Sequence, residues 1–306
     1  MTTNVTEAAI SWRGVKLRNE QFTLGPLDIE IPRGMVTAIV GPNGSGKSTL
    51  FRSLLGLEPI REGEATALGV RLNGCEDESY KREVGFLPEN PYGHENSLTA
   101  DEKAKFASGL YPNWDWEKYR KLLRHFDVDG SVKLSKMSKG MRRKAELSIA
   151  MSHDPELLLL DEPSSGLDPF AWKTMLEELQ RYMEPGDRTL VLATHILEEI
   201  RRLADYILFL YRGKVLGLYE KDRLLDDWRT LVVQLSASGP GIEKLDATPG
   251  LQGLTEAGPG LYRLEVDSPE QGEQYCRACG FQVLGIQRME LEDILSCLIR
   301  KEEARR

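Results

Sequence analysis

The chain has 306 residues, 41% of them hydrophobic, and a formal net charge of −8. That is enough to bury the core of one large domain with a small one attached, and the acidity argues against a broad nucleic-acid surface, so no nucleic-acid partner is expected. No apolar run approaches the roughly 18 residues that cross a bilayer, and the start, MTTNVTEAAISWRG, lacks the basic-then-apolar pattern of a secretory signal, so an intracellular protein is expected.

Residues 8–33 alternate as a small antiparallel sheet would, most clearly in FTLGPLDIEIP. The apolar run MVTAIV (35–40) then leads into GPNGSGKST (41–49), and LFRSLLGL follows. This is the G-x-x-x-x-G-K-[ST] phosphate loop in its strand–loop–helix setting. Gly41, Gly44 and Gly46 lack a β-carbon, so the backbone from Asn43 through Ser45 can wrap an anion closely. The loop N–H groups and the helix N-terminus make a cradle for phosphate oxygens. Lys47 adds a positive charge for the β- and γ-phosphates, Ser48 a hydroxyl for Mg²⁺, and Thr49 support for the neighbouring phosphate.

EVGFLPE (83–89) reads as a short buried strand. Three helices are expected next, in TADEKAKFASGL, WEKYRKLLRHF and SKGMRRKAELSIAM, the last capped by Ser138. The basic stretch from Lys139 to Lys144 is short enough to be one solvated helix face. The run LLLL (157–160) ends in Asp161 and Glu162. A strand that finishes in two acids places them beside the phosphate loop. Asp161 would hold Mg²⁺ through water, leaving Glu162 to act as base or water-positioner at the γ-phosphate. A helix from about Pro169 to Met183, a strand TLVLAT, a helix HILEEIRRLA and a hairpin of YILFL with KVLGLY complete this part. The alternation argues an α/β core with a mostly parallel sheet, with the helical insert between Pro91 and His153 as a separate lobe.

After about Asp227 glycine and proline become frequent and the strands short. VVQLSA, LYRLEV and VLGIQRM read as strands, with helices near 268–279 and 291–302. A compact α+β appendage is expected, with no metal, phosphate or nucleophile signature. The four cysteines, Cys75, Cys276, Cys279 and Cys297, make no disulfide framework in a chain this long. Cys276 and Cys279 close a helix instead of opening one, with Gly280 as its terminator, so they read as two core thiols and not a redox pair.

Jointly these motifs resemble the ATP-binding subunit of an ABC transporter, over roughly residues 8–225. GPNGSGKST, MSKGM (137–141), LLLLDEPSSGLD (157–168) and ATH (193–195) stand in that family's order. The resemblance implies an α/β P-loop core of ABC ATPase type with an antiparallel β subdomain and a helical subdomain (about 91–153). It makes 1–225 the ATPase domain and 226–306 a small α+β domain for dimerisation or regulation.

MSKGM corresponds to the signature, usually LSGGQ, with Met141 for Gln and Lys139 for the first Gly. Ser138 and Gly140, which the phosphate needs most, remain. His195 corresponds to the switch histidine, with a catalytic role. The family's metal- and partner-sensing glutamine is here Glu89, which can also ligate Mg²⁺ but adds a charge. Phe22 is the best match for the adenine-stacking aromatic, with Trp12 behind it.

YPNWDW (111–116) resembles a stretch of bacterial exporter ATPases, where its aromatics would meet a membrane partner; a packed corner between two helices is the plainer reading. The resemblance thus implies an ATP-hydrolysing motor. It would dimerise on ATP, as a homodimer or with a related subunit, at the inner face of the cell membrane beside a separate polytopic subunit. The alternatives are an ABC ATPase acting on ribosomes or DNA, and a slow regulatory nucleotide switch.

Overall fold

Three strands buried at every residue set the architecture: VTAIV, LLLLD and TLVLA. Strands covered on both faces belong in the middle of a parallel sheet. The computed structural model describes residues 7–18, 22–73, 78–235 and 240–305; Cys75 lies outside them. The chain divides into two compact units, Met1–Leu218 and Tyr219–Arg306. This division falls ahead of residue 225.

The first unit runs β1 (Ala8–Arg18), β2 (Thr23–Pro32), β3 (Val36–Val40), α1 (Lys47–Leu54), β4 (Glu62–Ala67), β5 (Val70–Arg71) and β6 (Val84–Leu87). It continues through α2 (Ala100–Ser108), α3 (Trp116–His125), α4 (Lys139–Met151), β7 (Leu157–Asp161), α5 (Pro169–Met183), β8 (Thr189–Ala193), α6 (Leu197–Leu203), β9 (Tyr206–Tyr211) and the greater part of β10 (Lys214–Glu220). One sheet has the order β2-β1-β4-β5, with β1 antiparallel to both β2 and β4. β4 and β5 have no sequence signal: GEATALGV has little bulk and no alternation, and β1 recruits it. The other sheet has the order β10-β9-β3-β8-β7-β6, parallel from β9 through to β6.

The helices follow local chemistry. Thr99 and Glu102 close a capping box on α2, with the Thr99 N–H donating to Glu102 Oε2 at 2.8 Å. Asp168 caps α5, and Pro169 is its first residue. The YPNWDW segment is a packed corner: Trp114 and Trp116 meet edge to face at 5.7 Å, and both contact Tyr119.

The second unit holds α7 (Lys221–Asp227), β11 (Arg229–Gln234), β12 (Leu251–Gly258), β13 (Leu261–Val266), α8 (Pro269–Ala278), β14 (Gln282–Arg288) and α9 (Leu291–Ala304). Its antiparallel sheet has the order β12-β13-β11-β14. That is the strand order of a split βαβ, with a short 3-10 turn (Ile242–Ala247) where a first helix would stand. Leu231, Val233, Leu264, Val266 and Cys276 form its core. Cys279 is only partly buried at its edge, and the described cysteines are free.

His153 gives the first unit a pH-dependent stability. It is 1% exposed and its ring stacks on Tyr111 at 3.8 Å. Burial first, then the nearby Lys118, pull its pKa down to about 4, against Asp154 and a contact to the Val84 backbone that raise it. The unfolded chain therefore takes up this proton more readily between pH 6.5 and 4. The stabilisation, about 3 kcal/mol in all, is complete above pH 6.5 and is lost as pH falls through 4. Urea unfolding at pH 7 and 5 should show the wild type losing about 2 kcal/mol more than His153→Phe, which keeps the ring stack. Equal losses would refute this assignment.

Candidate active site

Parallel strands end at one edge, so the loops after β3, β8, β7 and β6 emerge side by side. The register aligns them: Ile39 pairs with Ala193, Ala193 with Asp161, and Leu87 with Leu160. The next residues along these strands are the phosphate loop, Thr194–His195, Glu162 and Pro88–Glu89. In open parallel sheets ligands bind at this carboxyl edge.

The loop turns into α1 at Gly46, whose φ of +113° is open to glycine and strained for other residues. Leu50 is the first residue to bond back, to the Gly46 carbonyl at 3.0 Å, so the N–H groups of Lys47, Ser48 and Thr49 have no intrahelical acceptor. The first turn holds no acid, which leaves the positive end of the helix for an external anion. Asn43 and Gly44 are exposed, and nothing lies within 4 Å of where a Gly44 side chain would start. Ser45 is buried with its hydroxyl unpartnered. The Lys47 ammonium donates to the carbonyls of Gly41 at 2.8 Å and Pro42 at 3.3 Å. Phe22 lies on this loop: a β-carbon on Gly46 would stand 3.1 Å from its ring. Trp12 is different. It is 1% exposed in the core beneath, which rules it out as a stacking surface for a base.

The acids gather next to the loop. Asp161 is 3% exposed and hydrogen-bonded by the Ser48 hydroxyl; burial pushes its pKa up, and the neighbouring Glu89 and Glu162 push further. Ser48, Glu89 and Asp161 line one open cavity of about 400 Å³. A buried carboxylate, a hydroxyl and a second acid around one cavity form an oxygen donor set that fits Mg²⁺. Glu162 takes a left-handed φ of +50°, a sparse region for a side-chain-bearing residue. Its N–H donates to the Ala193 carbonyl at 2.8 Å, and its carboxylate stands 2.7 Å from His195 Nδ1. The imidazole itself is exposed.

Ser138 and Gly140 head α4. The Ser138 hydroxyl accepts from the Met141 N–H at 3.1 Å, and a β-carbon on Gly140 would come within 2.4 Å of the Gly166 carbonyl. Gly140 thus packs on the 164–168 loop, and neither residue hydrogen-bonds the phosphate loop among the described residues.

Sequence reasoning misses Arg143. The stretch from Lys139 to Lys144 is not a solvated face: Arg143 is 5% exposed, and the Arg142 side chain only 11%. The guanidinium is drawn inward by main-chain carbonyls at the ends of β6 and β7, which leave no mark in sequence. A helical count from the buried Leu147 puts Arg143 on the inner face and is the one signal that could have found it.

Side by side, a phosphate loop, an acid pair at a strand end and an exposed histidine on a carboxylate define a P-loop nucleotide hydrolase. Residues 24–165 match the ABC transporter family. An uncharacterized ABC transporter ATP-binding protein of Synechocystis is 35% identical over 210 residues, 66% of this chain and 58% of that relative's length. The Nod factor export ATP-binding protein I of Rhizobium is 26% identical over 306 residues, 97% of this chain and 99% of its own. A solved ATP-binding subunit of an ABC transporter aligns over 71% of this chain and 92% of its own, with TM-score 0.64 and 29% identity. A dimeric cassette in a post-hydrolysis state, bound to ADP and phosphate, shares the fold over 69% of this chain and 98% of its own, with TM-score 0.59 and 22% identity. The chain belongs to the ATP-binding proteins of the ABC transporter family, and its first unit is an ABC ATPase cassette.

Proposed function

We propose that this chain is the ATP-hydrolysing motor of an exporter whose membrane pathway is another polypeptide. The observation that carries the hydrolytic part is the Glu162 carboxylate 2.7 Å from His195 at the strand end next to the phosphate loop. Among the described residues no helix is long and apolar enough to cross a membrane. A cavity of about 550 Å³ is lined by Leu57, Phe86, Tyr92, Phe106, Leu110 and Tyr111. Phe106, Leu110 and Leu57 are 71%, 58% and 53% exposed, an apolar surface suited to a partner. The occupant proposed is a cytoplasmic segment of the polytopic membrane subunit, which would hold this chain at the inner face of the membrane. The likeness to a Nod factor export protein over nearly the whole chain, second unit included, supports the export direction.

The mechanism follows from the residues. The free N–H groups of Lys47, Ser48 and Thr49 and the Lys47 ammonium hold the β- and γ-phosphates, with Asn43 through Gly46 wrapped around them, and Phe22 offers its ring to adenine. Ser48, Asp161 and Glu89 would hold Mg²⁺, which when bound neutralises phosphate charge. Glu162 orients the attacking water and takes its proton, while His195 fixes that carboxylate and faces the γ-phosphate. Ser138 and Gly140 of a second copy, identical or related, close the site with the N-terminus of α4. ATP then joins two copies, and its hydrolysis releases them. The second unit is proposed as a dimerisation or regulatory domain. The test is to purify the chain with the membrane protein encoded beside it. A stable complex with partner-stimulated ATPase activity is expected; failure to associate would overturn the motor reading.

Glu89→Gln tests the metal site. The change removes one of the acids that push Asp161 upward, in a near-isosteric swap that leaves the fold intact. Titrating Mg²⁺ and Mn²⁺ against turnover should give displaced curves for the variant. Identical metal curves and identical partner stimulation would remove Glu89 from the site and make Asn90 the next residue to test.

A further inference from the structure

We propose that Arg143 is a positioning residue that fastens α4 to the acids of the hydrolysis site, so that movement of α4 changes their alignment. The proposal rests on reading Glu89, Asp161 and Glu162 as the hydrolytic acids. A guanidinium has five N–H donors, and here they meet five main-chain carbonyls. Nη1 donates to Pro88 and, at 3.2 Å, to Glu89; Nη2 donates to Asp161 and Glu162; Nε donates to Pro163 at 3.2 Å. None is spent on a carboxylate side chain. The charge is instead supported at longer range by Asp161, Glu146, Glu162 and Glu89, against a burial that opposes it.

The placement gives this arrangement its meaning. β6 ends at Leu87 and β7 at Asp161, so the carbonyls that follow have no continuing ladder between them. Buried carbonyls need a donor, and Arg143 supplies it to both strand ends at once. With the backbone held there, the side chains of Glu89, Asp161 and Glu162 are left to face the cavity, Ser48 and His195. On the same helix Arg142 donates to Asn96 Oδ1 at 2.5 Å and to the Tyr92 carbonyl at 3.0 Å, gripping the segment that follows β6. α4 itself starts at Ser138 and Gly140, the residues proposed to meet the second copy's ATP. One rigid helix therefore joins the signature to the strand ends through a single side chain.

The experiment compares Arg143→Lys and Arg143→Met with wild type. A misplacement near 1 Å costs on the order of 10²-fold in rate. Turnover should fall by about 10- to 100-fold, while ATP affinity measured by calorimetry without Mg²⁺ stays within about twofold, because the phosphate loop is held separately. Amide exchange should quicken at Glu89, Asn90, Glu162 and Ser164 but not in α1. Lysine keeps the charge but has only three donors, so Arg143→Lys should fall between the other two. If Arg143→Met does not fold, Arg143→Lys carries the measurement.

Three results would overturn the proposal. One is unchanged turnover and exchange. Another is a parallel loss of ATP affinity with a general rise in exchange, which is structural support alone. The third is a lysine variant equal to wild type, which would leave the five-carbonyl clamp without a role. Asp161→Asn and Glu162→Gln run alongside: hydrolysis surviving in both refutes the reading of the site, whereas hydrolysis lost there and intact in the Arg143 variants refutes only the clamp.

Discussion

Glu162→Gln is expected to bind ATP with near-normal affinity and to hydrolyse it about 10²–10⁴-fold more slowly, a barrier increase of roughly 3–5 kcal/mol. The amide keeps the shape of the side chain and can still hydrogen-bond His195 across the 2.7 Å contact. What it loses is the capacity to accept the proton of the attacking water. The fold should survive, because the left-handed backbone at 162 is held by the N–H bond to Ala193 and not by the carboxylate. If two copies share each ATP, the trapped nucleotide should hold them together, and light scattering should report dimers with ATP and monomers with ADP. Turnover near wild type would remove Glu162 as the base. Monomers with demonstrably bound ATP would remove the composite site.

Much of this site is legible before folding because its parts are local. A glycine-rich loop between a buried strand and a helix specifies its own geometry: the turn at Gly46 and the free N–H groups of α1 follow from the residues themselves. The apolar runs of β7 and β8 announce strands buried on both faces, and their shared direction brings Asp161 and His195 to one edge. The C-terminal strands β11, β13 and β14 are legible for the same reason, as short alternating segments between turns.

What stays hidden depends on partners far apart in sequence. β4 and β12 contain little bulk and are strands because β1 and β13 pair with them. α7 is a short helix with one buried residue, Leu224, and so carries no apolar stripe. Trp12 cannot be told from Phe22 by residue type, since both are aromatic and near the loop in sequence; the core takes the larger ring, and the smaller lies on Gly46. Arg143 is the sharpest case. Its immediate neighbours Arg142 and Lys144 are basic too, and apart from its place one turn before Leu147 it is the loop carbonyls at 88–89 and 161–163 that distinguish it from a solvated cation.

Lys47→Ala should cost the chain its productive ATP binding, with an affinity loss of about 2–5 kcal/mol, or roughly 30- to 5000-fold. Lys47 is 7% exposed and its ammonium is already tethered to the Gly41 and Pro42 carbonyls, so little order is lost when a phosphate replaces them. Removing it takes away the one full charge that the loop brings to the β- and γ-phosphates, and the N–H cradle alone must hold the nucleotide. The stability of the chain should change much less. Lys47 is the first residue of α1, where a cation opposes the helix dipole and alanine is the better helix former, so the gains there offset part of the two lost carbonyl bonds. Calorimetric titration with ATP, beside a thermal melt of the same preparation, separates the two effects. A large affinity loss with a nearly unchanged melt is the expected result. Near-normal affinity in a folded variant would sink the phosphate-loop assignment, and with it the roles of Ser48, Asp161 and Glu162, which depend on a γ-phosphate held at this loop.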